Sequence, residues 1–242
     1  MDFDEKEWMT IDQGMSRLPQ AMAYLVGYNN ITFGARVTAI EVTSSNKIGI
    51  TALSYNGSVN PLFDRIILAI PLAALGMIAD CPRWSVNKEV AIRSMHFEAL
   101  YKMGMRFKTR FWERVKPKAS EGGQSTTDLP IRWIVFPSNG IGEDGPGVLL
   151  VYACSLVVVY APRTSSLAIR CIATMYEDQW DGDKKIDVYD LLIETSDAVW
   201  SASTATGDAT FLPGQFRARF DVARQREGDI YFAGEHISYH HT

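Results

Sequence analysis

Apolar positions along the chain follow two rhythms, one helical and one alternating, and they switch several times. Met15, Leu18, Met22 and Leu25 recur at helical spacing between Gly14 and Leu25, with Pro19 tolerable in a first turn. Gly27 and Asn29-Asn30 end that helix. Ile31-Thr-Phe, Val37 to Val42 and Ile48 to Tyr55 then read as strands, the last turning at Asn56-Gly57. Arg65 to Ile70 is a continuous apolar run stopped by Pro71, as expected of a strand buried on both faces. Asn87 to Met95 reads as helix, with Val90 and Ile92 on its apolar side.

The second half alternates more clearly. Tyr101 to Phe107 puts Tyr101, Met103, Met105 and Phe107 on one face and Lys102, Gly104 and Arg106 on the other. A polar stretch around Glu121-Gly-Gly leads to a strand at Arg132 to Phe136, and Val148 to Tyr160 continues as β-branched strand. Asp187 to Trp200 reads as an amphipathic helix with Val188, Leu191, Leu192, Thr195 and Val199 inward. Asp229 to Ala233 is one more short strand, running into Gly234-Glu235. Helix and strand signals mix without a flexible linker, repeat or low-complexity segment.

Composition narrows the function classes. Hydrophobic residues are 47% and charged residues 21%, which suits a packed globular core. A net charge of −4 leaves no basic footprint for nucleic acid. The longest apolar run is too short for a membrane span, and Met1 to Glu7 is too acidic for a signal peptide. The compartment stays open, cytoplasmic or secreted. Cys81, Cys154 and Cys171 are widely spaced and form no C-x-x-C pair, so reduced thiols are expected.

Local catalytic motifs are sparse. No G-x-S-x-G elbow, H-E-x-x-H or P-loop is read, and no G-x-G-x-x-G dinucleotide fingerprint. His236 and His240 have i, i+4 spacing, but with only Glu235 nearby no metal site is expected. Taken alone, Lys102 is an ordinary strand lysine, Tyr152 a core tyrosine and Trp200 a packing residue. A terminal strand followed by Gly234-Glu235 and a histidine cluster is how a helix-opening site begins, so the chain reads as cut at the back, and at the front for want of the fingerprint.

Eight blocks in order resemble the flavin amine oxidases. DQGMSRLPQAM at 12–22, RIILAIP at 65–71, RSMHFEALYK at 93–102 and FKTRFWE at 107–113 resemble the superfamily at large. GGQSTTDLP at 122–130 is similar to the corresponding segment of L-amino-acid oxidases. GVLLVYA at 147–153, LPGQF at 212–216 and IYFAGEHISYHH at 230–241 continue the match. The resemblance implies a mixed α/β (α+β) fold: a partial FAD-binding domain plus a substrate-binding domain with a large mixed or antiparallel sheet. The expected parts are 8–95, the second portion of the FAD-binding domain; 96–218, the substrate-binding domain; and 219–242, a strand returning to the FAD-binding domain.

The resemblance also assigns roles. Val37 matches the valine whose backbone binds the adenine edge of FAD. Ile70 and Pro71 match the strand end passing near the cofactor, and Gly234 and Glu235 the turn that hydrogen-bonds it. Lys102 matches the lysine that holds a water against flavin N5, the catalytic position. Tyr152 matches the tyrosine that binds the substrate carboxylate, together with an arginine expected outside this chain. Trp200 matches a tryptophan lining the pocket, and Thr242 the small residue bordering cofactor and substrate.

Two departures stand out. Gly207-Asp208-Ala209 lacks the aromatic that usually follows that glycine, and the tryptophan expected after Thr242 is absent. The implied reaction is oxidative deamination of an L-amino acid by O₂, giving a 2-oxo acid, ammonia and hydrogen peroxide. The isolated chain is expected to bind FAD poorly and to turn over little. A separate N-terminal partner chain or a homodimer would be routes to a complete site. The alternatives are a monoamine or polyamine oxidase relative, and a truncated, non-catalytic module that needs a partner chain.

Overall fold

The computed structural model describes residues 11–115, 121–154, 161–200 and 208–239, and these fall into two compact units. The first comprises the chain to Asp64 with Ile78–Pro82. It holds helix α1 (Arg17–Val26) and strands β1 (Arg36–Val42), β2 (Ile48–Ser54), β3 (Gly57–Val59) and β4 (Leu62–Phe63). β2 is the centre of this small antiparallel sheet, pairing with β1, β3 and β4. Ile40, Ile48 and Ala52 are its buried apolar side chains. Tyr55-Asn56 form the tight turn into β3, and Gly57 follows at φ 110°, a conformation that strains residues with a Cβ.

One expectation fails in this unit. Ile31–Phe33 is not a strand: Ile31 closes the 3-10 turn Tyr28–Asn30, and Gly34 turns the chain again at φ 64°. Among the described residues no strand pairs with this segment.

The second unit comprises Arg65–Met77 and everything from Arg83 onward. It opens with β5 (Ile66–Leu68), α2 (Leu72–Gly76), α3 (Val86–Ser94), β6 (His96–Glu98) and β7 (Leu100–Phe107). β8 (Gln124–Thr126), β9 (Trp133–Val135), β10 (Gly147–Cys154) and α4 (Ala161–Met175) follow. The last elements are β11 (Trp180–Asp181), β12 (Lys184–Lys185), α5 (Val188–Leu191), β13 (Leu192–Val199), β14 (Asp208–Thr210), α6 (Phe216–Arg224) and β15 (Ile230–Phe232).

Its main sheet has strand order β13-β7-β10-β9-β8, antiparallel in every pairing. The alternation in β7 sorts its faces as expected, since Tyr101, Met103, Met105 and Phe107 are all buried. They join Leu149, Val151 and Ala153 of β10, Ile134 of β9 and Ala168, Ile169, Cys171 and Ile172 of α4 in one core. Phe111 anchors the aromatic corner of that core, edge-on to Phe107, Trp112 and Tyr176 at 4.9–5.3 Å. Gly147 is forced by this packing, because a Cβ there would meet the Trp112 ring at 2.7 Å.

Beneath Trp112 a buried ion pair ties down the β9–β10 connection. Arg110 Nε donates to Glu113 Oε1 at 2.7 Å, and Arg110 also donates to Asn139 O. Glu113 Oε2 accepts the Gly142 N–H at 2.9 Å. Each charge has the other and a backbone group as partners, which offsets the cost of removing both from water.

Two further expectations are corrected here. Asp187 to Trp200 is not a long helix. The Asp187 side chain caps one turn, α5, by accepting from Tyr189 and Asp190 N–H, and the chain then enters β13. The β-branched Ile193, Thr195 and Val199 suit a strand, and β7 offers a full partner ladder that local helical periodicity does not register. Arg65 to Ile70 does contain a strand, β5, but Ile67 is 69% exposed rather than buried on both faces. Among the described residues only β15 pairs with it. The strand expected from Val148 to Tyr160 is β10 as far as Cys154; residues 155–160 lie outside the described residues, and helix α4, with Pro162 in its first turn, begins at Ala161.

Candidate active site

Lys102 projects from β7 on the face opposite the core, and its paired residue across the ladder is Tyr152 of β10. Paired residues in an antiparallel sheet share a face, so both side chains stand on the open side. The Lys102 Nζ lies 4.9 Å from the Tyr152 ring centroid and 5.4 Å from that of Trp200. Trp200 is placed by its own backbone, which donates to Leu100 O at 2.9 Å just beyond β13. The ammonium is thus flanked by two aromatic rings, each attracting a cation through its quadrupole. Arg106, two residues further along the same face, is neutralised by Glu194 at 2.9 Å. The three residues assigned to the reacting side of the site therefore come together although they lie 50 and 48 positions apart.

A second cluster forms at the ends of two parallel strands. β15 pairs with β5 in the register Ile230↔Ile66 to Phe232↔Leu68, and Ala233 N–H donates to Leu68 O at 3.0 Å. Parallel pairing brings Ile70-Pro71 and Gly234-Glu235 out at the same, carboxyl end, where sheets of this kind bind ligands. Gly234 sits at φ 129°, and a Cβ there would lie 2.9 Å from the His236 ring. Only glycine fits. Glu235 then opens the short 3-10 turn Glu235–Ile237 and is exposed, while His236 is buried beneath it. A side-chain-free backbone followed by an exposed carboxylate at strand ends is an arrangement that fits a dinucleotide cofactor.

Val37 belongs to the first unit, in β1, opposite Ala52. A register shift between Val37 and Ala39 interrupts the ladder there. Thr242, and His240 and His241 with it, lies outside the described residues. Among the described residues no group of His, Cys, Asp and Glu is arranged to hold a metal ion, and no helix is long and apolar enough to cross a membrane. Among the described residues neither Cys81 nor Cys171 takes part in a disulfide.

The G-x-G-x-x-G reading needs correction. The literal spacing does occur, at Gly140-Ile-Gly142-Glu-Asp-Gly145. It forms turns between β9 and β10 and opens no helix, with all three glycines at positive φ. The Gly142 N–H is taken by the buried Glu113 carboxylate, so this loop has an internal anion already in place. A shallow groove of about 600 Å³ beside the end of α4, lined by Arg170, Glu177, Lys185 and Asp187 among others, shares no residue with either cluster.

Two residues escaped the sequence reading. Lys88 is fully buried on α3, donating to Ala223 O at 2.7 Å and Gln225 O at 2.6 Å beyond the end of α6. Its Nζ also lies 3.8 Å above the Phe232 ring, in the strand that leads to Gly234. Burial pushes its ammonium down to about 8, opposed by Glu227. The signal was a lysine on the Lys88, Ala91, Ile92, Met95 stripe, a helical face otherwise apolar. Trp133 pairs with Tyr152 on the open face of the main sheet, and no motif marks it.

A lysine between aromatic rings on an open sheet face and a glycine–carboxylate turn at parallel strand ends are the two clusters the described residues bring together. The chain belongs to the flavin-containing amine oxidoreductases, whose family model matches residues 1–242. The family's cofactor is a flavin. Relatives include a bifunctional amine oxidase of Dictyostelium discoideum, 31% identical over 97% of this chain and 23% of that protein. L-amino-acid oxidase 4 of Hebeloma cylindrosporum is 26% identical over 98% of this chain and 42% of its own length. In fold, a putrescine oxidase structure superposes with a TM-score of 0.72 at 16% identity, over 94% of this chain and 48% of the other. The chain thus spans less than half the length of each of these proteins.

Proposed function

We propose that the chain forms part of an FAD-dependent L-amino-acid oxidase and carries the reacting wall of its active site. The observation that carries this reading is the Lys102–Tyr152–Trp200 cluster, in which one cation and one phenol stand side by side on an open face. Tyr152 offers a hydroxyl that donates to the substrate carboxylate, an anchor that a simple amine would not need. Lys102 orients a water with its ammonium and places positive charge where O₂ gains electrons. Trp200 closes one side of the pocket and keeps bulk water from it.

Ile70, Pro71, Gly234 and Glu235 hold the cofactor at the carboxyl ends of β5 and β15, and Val37 offers backbone N–H and C=O groups to the adenine edge. FAD, when bound, supplies the redox chemistry that converts the amino acid to an imino acid, which water takes to the 2-oxo acid and ammonia, and O₂ to hydrogen peroxide. This reading divides the chain into 8–95, 96–218 and 219–242, with β15 returning to pair with β5.

Two experiments test this. Titration of the purified chain with FAD should show weak binding and little peroxide; tight stoichiometric binding with peroxide from L-Leu or L-Phe would refute the need for further parts. Native protein isolated from its source, offered L-amino acids and amines in parallel, should release peroxide from the amino acids. Oxidation of putrescine or monoamines alone would assign it to the amine-oxidase branch instead. No turnover with any of them, with a partner chain co-purifying or not, would leave a non-catalytic module.

A further inference from the structure

Helix α6 ends against the strand that leads to Gly234-Glu235, and a buried side chain joins the two. The last carbonyls of a helix have no partner within it. At the end of α6 Lys88 of α3 supplies one, donating from Nζ to Ala223 O at 2.7 Å and to Gln225 O, just past the helix, at 2.6 Å. An ammonium at a helix C-terminus also meets the negative end of the helix dipole. The same Nζ stands 3.8 Å from the centroid of the Phe232 ring in β15, and the Trp84 ring meets Phe232 edge-on at 5.6 Å. Glu227, whose charge favours the ammonium, accepts from both the N–H and the hydroxyl of Ser85 at the start of α3. Lys88 thus ties α3, α6 and β15 together at one point.

On the far side of the Gly234-Glu235 turn a second contact returns to α6. The Tyr239 hydroxyl donates to Asp221 Oδ1 at 3.1 Å, and its ring lies 4.9 Å from the Phe220 ring and 4.2 Å from the Arg224 guanidinium. The turn is therefore held at Phe232, two residues before Gly234, and at Tyr239, four residues after Glu235. Both anchors lead back to α6.

We propose that Lys88 is a positioning residue for the cofactor: together with Tyr239 it clamps the turn to α6, and the clamp keeps Gly234 and Glu235 in the conformation that receives FAD. This rests on the reading of Gly234 and Glu235 given above. The turn needs such a hold. Glycine gives it its shape but also the most freedom to leave it. Glu235–Ile237 is a single 3-10 turn whose Ile237 N–H reaches Gly234 O at 3.3 Å, too little to fix it alone. Lys88 itself is fully buried, so no ligand touches it and its effect passes through Phe232. A turn that is competent for only part of the time weakens binding by that fraction.

The test is made on the native protein, stripped of flavin and titrated with FAD. Lys88→Met keeps the length and apolar stem of the side chain and removes the ammonium. It should raise the Kd for FAD about tenfold, the cost of a turn that is competent one-tenth of the time. With FAD saturating, KM for the amino acid should not change. In the flavin-free variant, amide hydrogen exchange at Ala233 and Ile237 should quicken. Gly147→Ala, which disturbs the main-sheet core instead, should change neither FAD affinity nor exchange at the turn. Tyr239→Ala alters an exposed side chain and should weaken FAD as Lys88→Met does, so it decides the matter alone if Lys88→Met does not fold. If Gly147→Ala loosens FAD as much as Lys88→Met, Lys88 acts only through overall stability and the proposal is overturned. It is also overturned, with the cofactor turn left standing, if Lys88→Met and Tyr239→Ala bind FAD like wild type while Glu235→Ala releases it. If Glu235→Ala also binds FAD like wild type, the reading of the turn fails and the clamp with it.

Discussion

Lys102 and Tyr152 face each other as a directly paired couple in the β7–β10 ladder, with the ammonium 4.9 Å from the phenol ring. The core face of the same two strands is closed by Tyr101, Met103, Leu149 and Val151. The chemistry on one side is thus held by the packing on the other, and the two can be altered separately.

Lys102→Met should show that separation. The residue is only partly buried and contributes no core contact, so unfolding free energy by urea titration should change by less than about 0.5 kcal/mol. In flavin-loaded native protein, oxygen consumption should fall by about 100-fold, the scale of losing one preorganised charge at a reacting centre. Equal losses in stability and turnover would make Lys102 a structural residue.

Glu113→Ala should be far more costly to stability. It strands a buried Arg110 guanidinium and an unpartnered Gly142 N–H, so a loss of about 3–5 kcal/mol is expected in denaturant unfolding. Replacing both partners with apolar residues of similar size should recover much of that loss.

Gly147→Ala and Gly104→Ala form a matched pair on adjacent strands of one sheet. At Gly147 the new methyl meets Trp112 and Arg110 side-chain atoms at 2.7–2.8 Å, and about 1–3 kcal/mol should be lost to overpacking. At Gly104 the nearest atom is a Val148 methyl at 3.6 Å, an ordinary contact. Thermal melts should drop for the first and hold for the second.

Lys88 sets the sign of a pH effect. Its folded-state value of about 8 lies below the ordinary 10.5, so the unfolded chain binds more protons between those values. Its contribution to stability therefore rises with pH across that window. Tyr101, raised by burial and then by Asp197, and Tyr176, raised by burial, act oppositely. Their contribution is present below about pH 10 and is lost above it, because unfolded phenols ionise first. Urea unfolding from about pH 7 to 11 should give a rise followed by a fall, and Lys88→Met should remove the rise alone. Parallel curves for the two proteins would contradict the assignment.

Much of the second unit was legible because its strands alternate strictly. Tyr101 to Phe107 announced which residues face the core, and that placed Lys102 on the open side. Lengths and partners were less legible. β13 was misread because Val188, Leu191, Leu192, Thr195 and Val199 satisfy a helical stripe, and only the presence of β7 decides between the two periods. Helix α4 was hidden behind an apolar run whose end no Gly or Pro marked before Pro162. Trp133 and Lys88 were invisible for another reason: each acquires meaning from a residue distant in sequence, Tyr152 for one and Ala223 with Gln225 for the other. The Gly140–Gly145 loop shows the converse, a motif spacing whose backbone is already engaged by Glu113.

Anaerobic flavin reduction in the native protein tests the reacting wall most directly. L-Leu or L-Phe should bleach the flavin, putrescine should not, and Tyr152→Phe should slow the amino-acid reaction with little change in protein stability. Bleaching by putrescine, at a rate that Tyr152→Phe leaves untouched, would contradict the placement of an amino-acid carboxylate at this face.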